Sequence, residues 1–121
     1  MAENIKIPTF SDSRGSLSVI EKIIDFEIKR VYYIYNTNDK ARGGHRHKKT
    51  KQLLVAINGS CEVFCENSNK ESKLFLLNSP DKGLLLEPED WHIMHNFSEN
   101  CILLVLASEY YDINDYIEER Y

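Results

Sequence analysis

Apolar residues recur along the chain in short runs, each closed by a turn signal. GSLSVIE (residues 15–21) alternates, with Leu17 and Val19 on one face. EIKRVYYIYN (27–36) is dense in β-branched and aromatic side chains. QLLVAI (52–57) runs into Asn58-Gly59, a hairpin dipeptide. SCEVFCE (60–66) follows, with Cys61, Val63 and Cys65 on one face and Glu62 on the other. Asn67-Ser68-Asn69 turns the chain again, and KLFLL (73–77) precedes the turn Ser79-Pro80-Asp81-Lys82-Gly83. LLLE (84–87), WHIMHNF (91–97) and CILLVLAS (101–108) complete the series. Period-two runs at this spacing, with no helical period before residue 108, predict an all-β sandwich or barrel. The tail DINDYIEERY (112–121) differs: Asp112 is placed to cap a short terminal helix, with Ile113, Tyr116 and Ile117 on one side. No repeat or linker interrupts the chain, so its 121 residues predict a single domain over 1–121.

Composition narrows the classes. A hydrophobic share of 42%, evenly spread, excludes a disordered chain. The net charge of -4 argues against a general nucleic-acid binder, and no apolar run reaches membrane-spanning length. Basic residues concentrate between Arg30 and Lys51, so an anionic ligand would be met locally. Cys61, Cys65 and Cys101 are odd in number and lack zinc-ligand spacing. Their apolar neighbours predict small core residues. The opening MAENIKIPTF has no apolar signal core, so the expectation is a reduced, cytoplasmic protein.

The chemistry concentrates in RGGHRHKKTKQ (42–52). In an extended strand His45 and His47 point to one face and Arg46 to the other. Two imidazoles together can hold a metal or move protons. A metal-binding cupin pattern would follow them with a carboxylate, where this chain has Gln52, and with a later histidine, for which His92 stands. Without the anionic ligand, and with cations beside it, a metal is disfavoured. The remaining reading is acid–base chemistry: imidazole exchanges protons near neutrality, with an ordinary pKa of about 6.5. Nearby Arg42, Arg46 and Lys48 keep such a base unprotonated. The same cations suit an anionic substrate or a developing enolate. His92 and His95, three apart on a strand, face opposite ways, and His92 is the one expected in the pocket. Trp91 reads as core or pocket wall.

RGGHRHKK resembles the RGxHAHK signature of the sugar 3,4-ketoisomerases that act on dTDP-4-keto-6-deoxyglucose. The likeness continues through SDSRGSLSVIE, RVYYIYNT, QLLVAINGSCEV, WHIMHNFSENCILLVLAS and YYDINDYI, in order and over almost the whole chain. It implies a cupin-type jelly roll, a homodimer, no metal and no cofactor. The implied substrate is a dTDP-linked 4-keto-6-deoxy sugar, whose keto group moves from C4 to C3 through an enediol or enediolate. On that resemblance His45 is the base working at carbon and His47 its proton-shuttling partner. Tyr33 would donate to a sugar oxygen. Arg42 and Lys48 would hold the diphosphate or sugar, Gln52 would fix a hydroxyl, and His92 would join the pocket. Arg14 would reach a site from the sheet edge or from a neighbouring subunit. The chain departs from the signature at Arg46, where Ala is usual. It also ends sooner after DYI than many relatives. Two other functions fit the same scaffold: a nucleotide-sugar epimerase, and a non-catalytic nucleotide-sugar-binding cupin.

Overall fold

The computed structural model describes residues 1–121. Twelve strands form: β1 (Glu3–Lys6), β2 (Thr9–Asp12), β3 (Gly15–Ser18), β4 (Arg30–Ile34), β5 (Arg42–His47), β6 (Gln52–Asn58), β7 (Cys61–Glu66), β8 (Ser72–Leu77), β9 (Lys82–Leu86), β10 (Trp91–His95), β11 (Ile102–Ala107) and β12 (Tyr116–Ile117). Two antiparallel five-stranded sheets run β1-β9-β6-β11-β4 and β12-β5-β10-β7-β8. Their strand orders are far from chain order because consecutive strands mostly pass to opposite sheets; β6 and β7, on either side of Asn58-Gly59, lie in different sheets instead of pairing as the hairpin that dipeptide predicts, and β7–β8 is the one chain-adjacent pair within the two sheets. This is the jelly-roll pattern of an all-β chain.

Period-two patterning explains the core. Leu54, Ala56, Leu84, Leu86, Leu103 and Val105 point inward from the first sheet. They meet Cys61, Val63, Cys65, Phe75, Leu77 and Met94 of the second. The three cysteines are buried and free, as their apolar neighbours predicted. The opposite face of β6 and β11 is also apolar. Leu53, Val55 and Leu106 are covered there by Ile7 and by Ile20, Ile23, Ile24 and Phe26 of the connection between β3 and β4. That double burial explains why QLLVAI is a continuous apolar run rather than an alternating one. No helix of the protein is long and apolar enough to cross a membrane.

Two glycine positions shape the sheets. Gly59 has φ +66°, and a Cβ there would lie 2.3 Å from Ser98 Oγ and 2.8 Å from Cys101 Cα. Gly43 and Gly44 have φ +93° and +81°, at an irregularity in the β5–β10 pairing. A Cβ on Gly43 would meet the His92 carbonyl oxygen at 3.0 Å. The irregularity ends before the histidines, so residues 45–47 alternate as a regular strand does.

The terminal helix expected from DINDYIEERY reduces to one 3-10 turn, Ile113–Asp115. Asp112 does cap it, accepting from the Asn114 amide. Two interactions stop the turn from growing. Asp115 is drawn inward by hydrogen bonds, and Tyr116 turns extended so that β12 can pair with β5. The GSLSVIE alternation also meets a different partner: β3 pairs only with β2, and the hairpin leaves Phe10 and Leu17, opposite one another, exposed.

Replacing Gly59 by Ala should lower stability by about 1–3 kcal/mol, the usual cost of forcing a side chain into a sparsely populated backbone region. The midpoint of urea denaturation checks this.

Candidate active site

The site grows from β5 and β10. His45 pairs across the sheet with His92, and His47 lies two residues further along the same face. Their side chains converge. The His45 ring centroid is 5.1 Å from both His47 and His92, and Tyr116 of β12 sits 4.7 Å from both His45 and His47. Ring nitrogens of the three histidines lie within 4.8 Å of one another, so these residues are the ones able to hold a metal.

Each ring is oriented by a fixed neighbour. His47 Nδ1 lies 2.9 Å from Asp115 Oδ2. Asp115 Oδ2 also accepts from Thr50 Oγ1, while Oδ1 accepts from the Lys49 amide. His92 Nδ1 lies 3.0 Å from the Asp90 carbonyl oxygen. The Asp90 carboxylate in turn accepts from the Glu87 amide at 2.9 Å, which fixes the turn presenting that carbonyl. Carboxylates and carbonyls accept only, so the proton of each ring sits on Nδ1 and Nε2 carries the lone pair. His47 Nε2 is buried and has no protein partner.

Burial sets the charge state. It lowers the His45 pKa to about 4, with the His47 charge adding to the effect. It lowers His92 to about 3. His47 is also lowered by burial, although hydrogen bonding and attraction to Asp115 pull it back up. For Asp115, burial pulls upward, but hydrogen bonds from Thr50, His47 and Lys49 prevail and hold its carboxyl below the usual range. All three imidazoles are therefore neutral proton acceptors near pH 7, and one of them is backed by an anion.

A cavity of about 390 Å³ opens onto this floor, with Arg30, Tyr32, Arg42, His45, Tyr111 and Tyr116 in its wall. Of the residues expected here, His45 and Arg42 face the space directly. His47 and His92 lie within the ring cluster on its floor. Gln52 is buried behind the wall and donates from Nε2 to the Tyr32 hydroxyl at 3.0 Å.

Tyr33 is elsewhere. Alternation along β4 turns Tyr32 and Ile34 inward and leaves Tyr33 61% exposed on the outer face, stacked on Tyr35. A doublet of tyrosines on one strand offers one to each face, and the inward one is Tyr32. Lys48 lies beside a separate surface depression with Tyr110 and Asn114, away from the His45 cavity. Arg14 sits on the exposed β2–β3 turn, where its guanidinium pairs with Asp12. Within one chain it does not line the cavity.

Arg46 points away from the histidines. Its guanidinium lies 4.4 Å from the Tyr121 ring centroid, and its Nε donates to the Glu119 carbonyl at 3.1 Å. The Ala-to-Arg departure therefore leaves the floor untouched. Trp91 is likewise on the outer side. Its indole donates to the Glu118 carbonyl, and the Arg120 guanidinium covers its ring. It is buried by the tail, neither in the sandwich core nor in the cavity. His95 is half-buried, outside the cluster.

Five wall and floor residues were not expected from the sequence as site groups: Asp115, Tyr116, Arg30, Tyr32 and Tyr111. Arg30 was legible, because period two counted back from Tyr32 puts it on the same face. Its guanidinium lies over the Tyr32 and Tyr111 rings at 5.2 and 5.8 Å, and its Nε is buried without a partner. Asp115 and Tyr116 were not legible, because a helix predicted across them would have aimed them differently.

Known proteins share this architecture. A curated TDP-4-oxo-6-deoxy-alpha-D-glucose-3,4-oxoisomerase of Aneurinibacillus thermoaerophilus is 51% identical over 111 residues, 89% of this chain and 79% of that protein. The QdtA sugar 3,4-ketoisomerase of Thermoanaerobacterium thermosaccharolyticum, solved with TDP, superposes with a TM-score of 0.92 at 46% identity, covering 98% of this chain and 88% of that one. A 3,4-ketoisomerase from Helicobacter canadensis superposes at 0.91 and 43% identity, covering 98% and 90%. A dTDP-4-dehydrorhamnose 3,5-epimerase from Bacillus anthracis shares the fold at 0.82, but only 17% of its sequence, over 95% of this chain and 76% of that one. The family model described as FdtA: WxcM-like, C-terminal matches residues 2–121, and the chain belongs to that family.

Proposed function

We propose that this protein is a sugar 3,4-ketoisomerase, converting TDP-4-keto-6-deoxy-D-glucose to its 3-keto isomer. The observation that carries the reading is the neutral pair His45 and His47 at the floor of a cation-walled cavity. A C4 carbonyl acidifies the C3 proton. His45, which faces the cavity, removes that proton, and the freed electron pair becomes a C3–C4 double bond. The C4 oxygen takes up a proton, giving the enediol. Loss of the O3 proton then makes the C3 carbonyl, and C4 receives a proton. Protons and electrons balance without a redox cofactor. His47 suits the relay: its Nε2 is free, and Asp115 stabilises the imidazolium that forms each time it holds a proton. Arg42 and Arg30 are placed to meet the diphosphate or the enediolate charge. Tyr116 and Tyr32, rather than Tyr33, are the tyrosines within reach of a sugar oxygen. The product is a 3-keto sugar of the kind an aminotransferase consumes.

Homodimerisation, too, belongs to this proposal. Two exposed apolar features support it: Phe10 and Leu17 on the β2–β3 hairpin, and Val31, Tyr33, Tyr35 and Ile57 on the outer side of the first sheet. A second copy would cover them. Arg14, on the same hairpin, contacts substrate only across such an interface. The three reduced, buried thiols fit a reducing cytoplasm.

Four outcomes test the proposal. With TDP-4-keto-6-deoxyglucose in deuterated water, NMR should show deuterium entering at carbon and the carbonyl relocating to C3, and His45→Asn should stop both while nucleotide binding persists. Exchange at C3 and C5 with the carbonyl retained at C4 would mean an epimerase. The acidic limb of kcat/KM should fall near pH 4 rather than 6.5, because His45 serves as base only when unprotonated and its pKa is held at about 4. In Asp115→Asn, kcat should drop on the order of 10²-fold with KM little changed, since the amide can donate and so releases the His47 tautomer. In sedimentation the wild-type chain should run as a dimer, and Phe10→Glu combined with Leu17→Glu as a monomer; a monomeric wild type removes the dimer from the account.

A further inference from the structure

Tyr116 stands against both His45 and His47, yet the strand that carries it has little of its own to hold it there. β12 is two residues long and lies at the edge of the second sheet, paired with β5 through Tyr116 opposite His47 and Ile117 opposite Arg46. So short an edge pairing is marginal in water. On one side of it the chain is fixed by Asp115. On the other, residues 118–121 must be fixed from the outer face of the sheet, or Tyr116 is free to swing from the rings.

Alternation supplies the means. On β5 the two histidines face the cavity and Arg46, between them, faces out. On the paired segment Tyr116 and Glu118 line the cavity, and Ile117 lies opposite Arg46. From the outer face Arg46 reaches past Ile117. Its Nε donates to the Glu119 carbonyl at 3.1 Å, and its guanidinium lies 4.4 Å from the Tyr121 ring centroid. The main chain of this one residue is continuous with both histidines, and its side chain holds the segment that carries Tyr116. Other contacts of that segment run elsewhere: Trp91 of β10 donates to the Glu118 carbonyl, Glu66 of β7 pairs with Arg120, and the Glu89 carbonyl accepts from Tyr121. Those tie the tail to neighbouring strands and a turn, whereas Arg46 ties it to the histidine strand itself. A planar guanidinium suits the task, since its edge donates to a carbonyl while its face covers an aromatic ring. The alanine usual at this place in the signature could make neither contact.

We propose that Arg46 is a positioning residue: by clamping Glu119 and Tyr121 on the outer face, it holds Tyr116 against His45 and His47, where the tyrosine hydroxyl serves a sugar oxygen. The clamp stands on these contacts alone; its effect on turnover rests on the ketoisomerase reading.

Two readouts separate clamp from turnover. Trp91 is the only tryptophan, and the tail covers its indole, so its fluorescence reports tail docking without substrate. In Arg46→Ala acrylamide should quench Trp91 about 2-fold more strongly or better, with far-UV circular dichroism unchanged. In the turnover assay kcat should fall about 5–30-fold in Arg46→Ala, with KM within about 2-fold of the wild type. Arg46→Lys, which keeps a cation for Tyr121 but not the guanidinium fork, should restore part of both readouts. Tyr116→Phe alone should lower kcat, and adding Arg46→Ala to it should cost less than about 2-fold more, because the two changes act on one group. Lys73→Ala, which takes a cation from the Phe75 ring on β8, should move neither readout. Unchanged quenching in folded Arg46→Ala overturns the clamp. Undiminished kcat in Arg46→Ala or in Tyr116→Phe, or losses that multiply in the double variant, overturns the positioning role while leaving the clamp. If Arg46→Ala does not fold, Arg46→Lys carries both readouts. A wild-type chain whose fluorescence shows a docked tail but which isomerises nothing tells against the ketoisomerase reading instead.

Discussion

The contact between His47 and Asp115 joins the two halves of the protein's chemistry. It is a buried pair, with His47 4% exposed and Asp115 8%. Burial alone would strip His47 of basicity and would make an isolated Asp115 costly. Together, and with Thr50 and the Lys49 amide completing the carboxylate's hydrogen bonds, each justifies the other's position. The pair also dictates backbone. Holding Asp115 inward ends the 3-10 turn and delivers Tyr116 to the edge of β5, against both histidine rings. A contact between residues 68 apart in sequence thereby closes the cavity wall.

The remainder of the tail secures that contact from outside the sheet. The Glu118 carbonyl accepts from Trp91, Arg120 pairs with Glu66 and lies over Trp91 and Phe64, and the Tyr121 hydroxyl donates to the Glu89 carbonyl. Trp91 and His92, adjacent in β10, thus face opposite duties. The indole anchors the tail on the outer side, and the imidazole completes the floor on the inner one. The Arg120–Glu66 pair, half exposed on the arginine side, contributes modestly by itself. Its value lies in excluding water from the indole and in setting the path of the chain that carries Asp115.

How far the sequence foretold this depends on whether the deciding interaction was local. The strands were legible because period-two burial writes itself into consecutive residues: SCEVFCE and WHIMHNF fall within one residue or two of β7 and β10. The placement of His45 and His47 followed from the same alternation, as did the outward turn of Arg46. Arg42, three residues before His45, was expected through the family resemblance alone; strict alternation would have set it on the opposite face, and the irregularity at Gly43 and Gly44 brings it to the cavity. Tyr33 failed because VYYIY reads equally well in either register until a partner strand fixes which tyrosine is inward. Lys48 was expected at the substrate through the family resemblance alone; it follows His47, the last residue of the strand, and lies outside the cavity. The terminal helix failed for a different reason. Asp112 gave a genuine cap, but the partner that stops the helix, His47, lies on a remote strand and exerts its hold only after folding. Trp91 was recognised as buried, but what buries it is again the tail.

The twin glycines at 43 and 44 divide labour in a way that bears on how such a protein can change. They let β5 bend against β10 and then resume regular alternation at the imidazoles, so the floor's geometry is fixed by main-chain pairing. Much of the wall is drawn instead from β4 and from residues 111–118 of the tail. On the ketoisomerase reading, the proton-handling floor and most of the substrate-facing rim are therefore built from different segments, so a substitution in the rim can alter the fit of the sugar without shifting the strand pairing that sets the imidazoles.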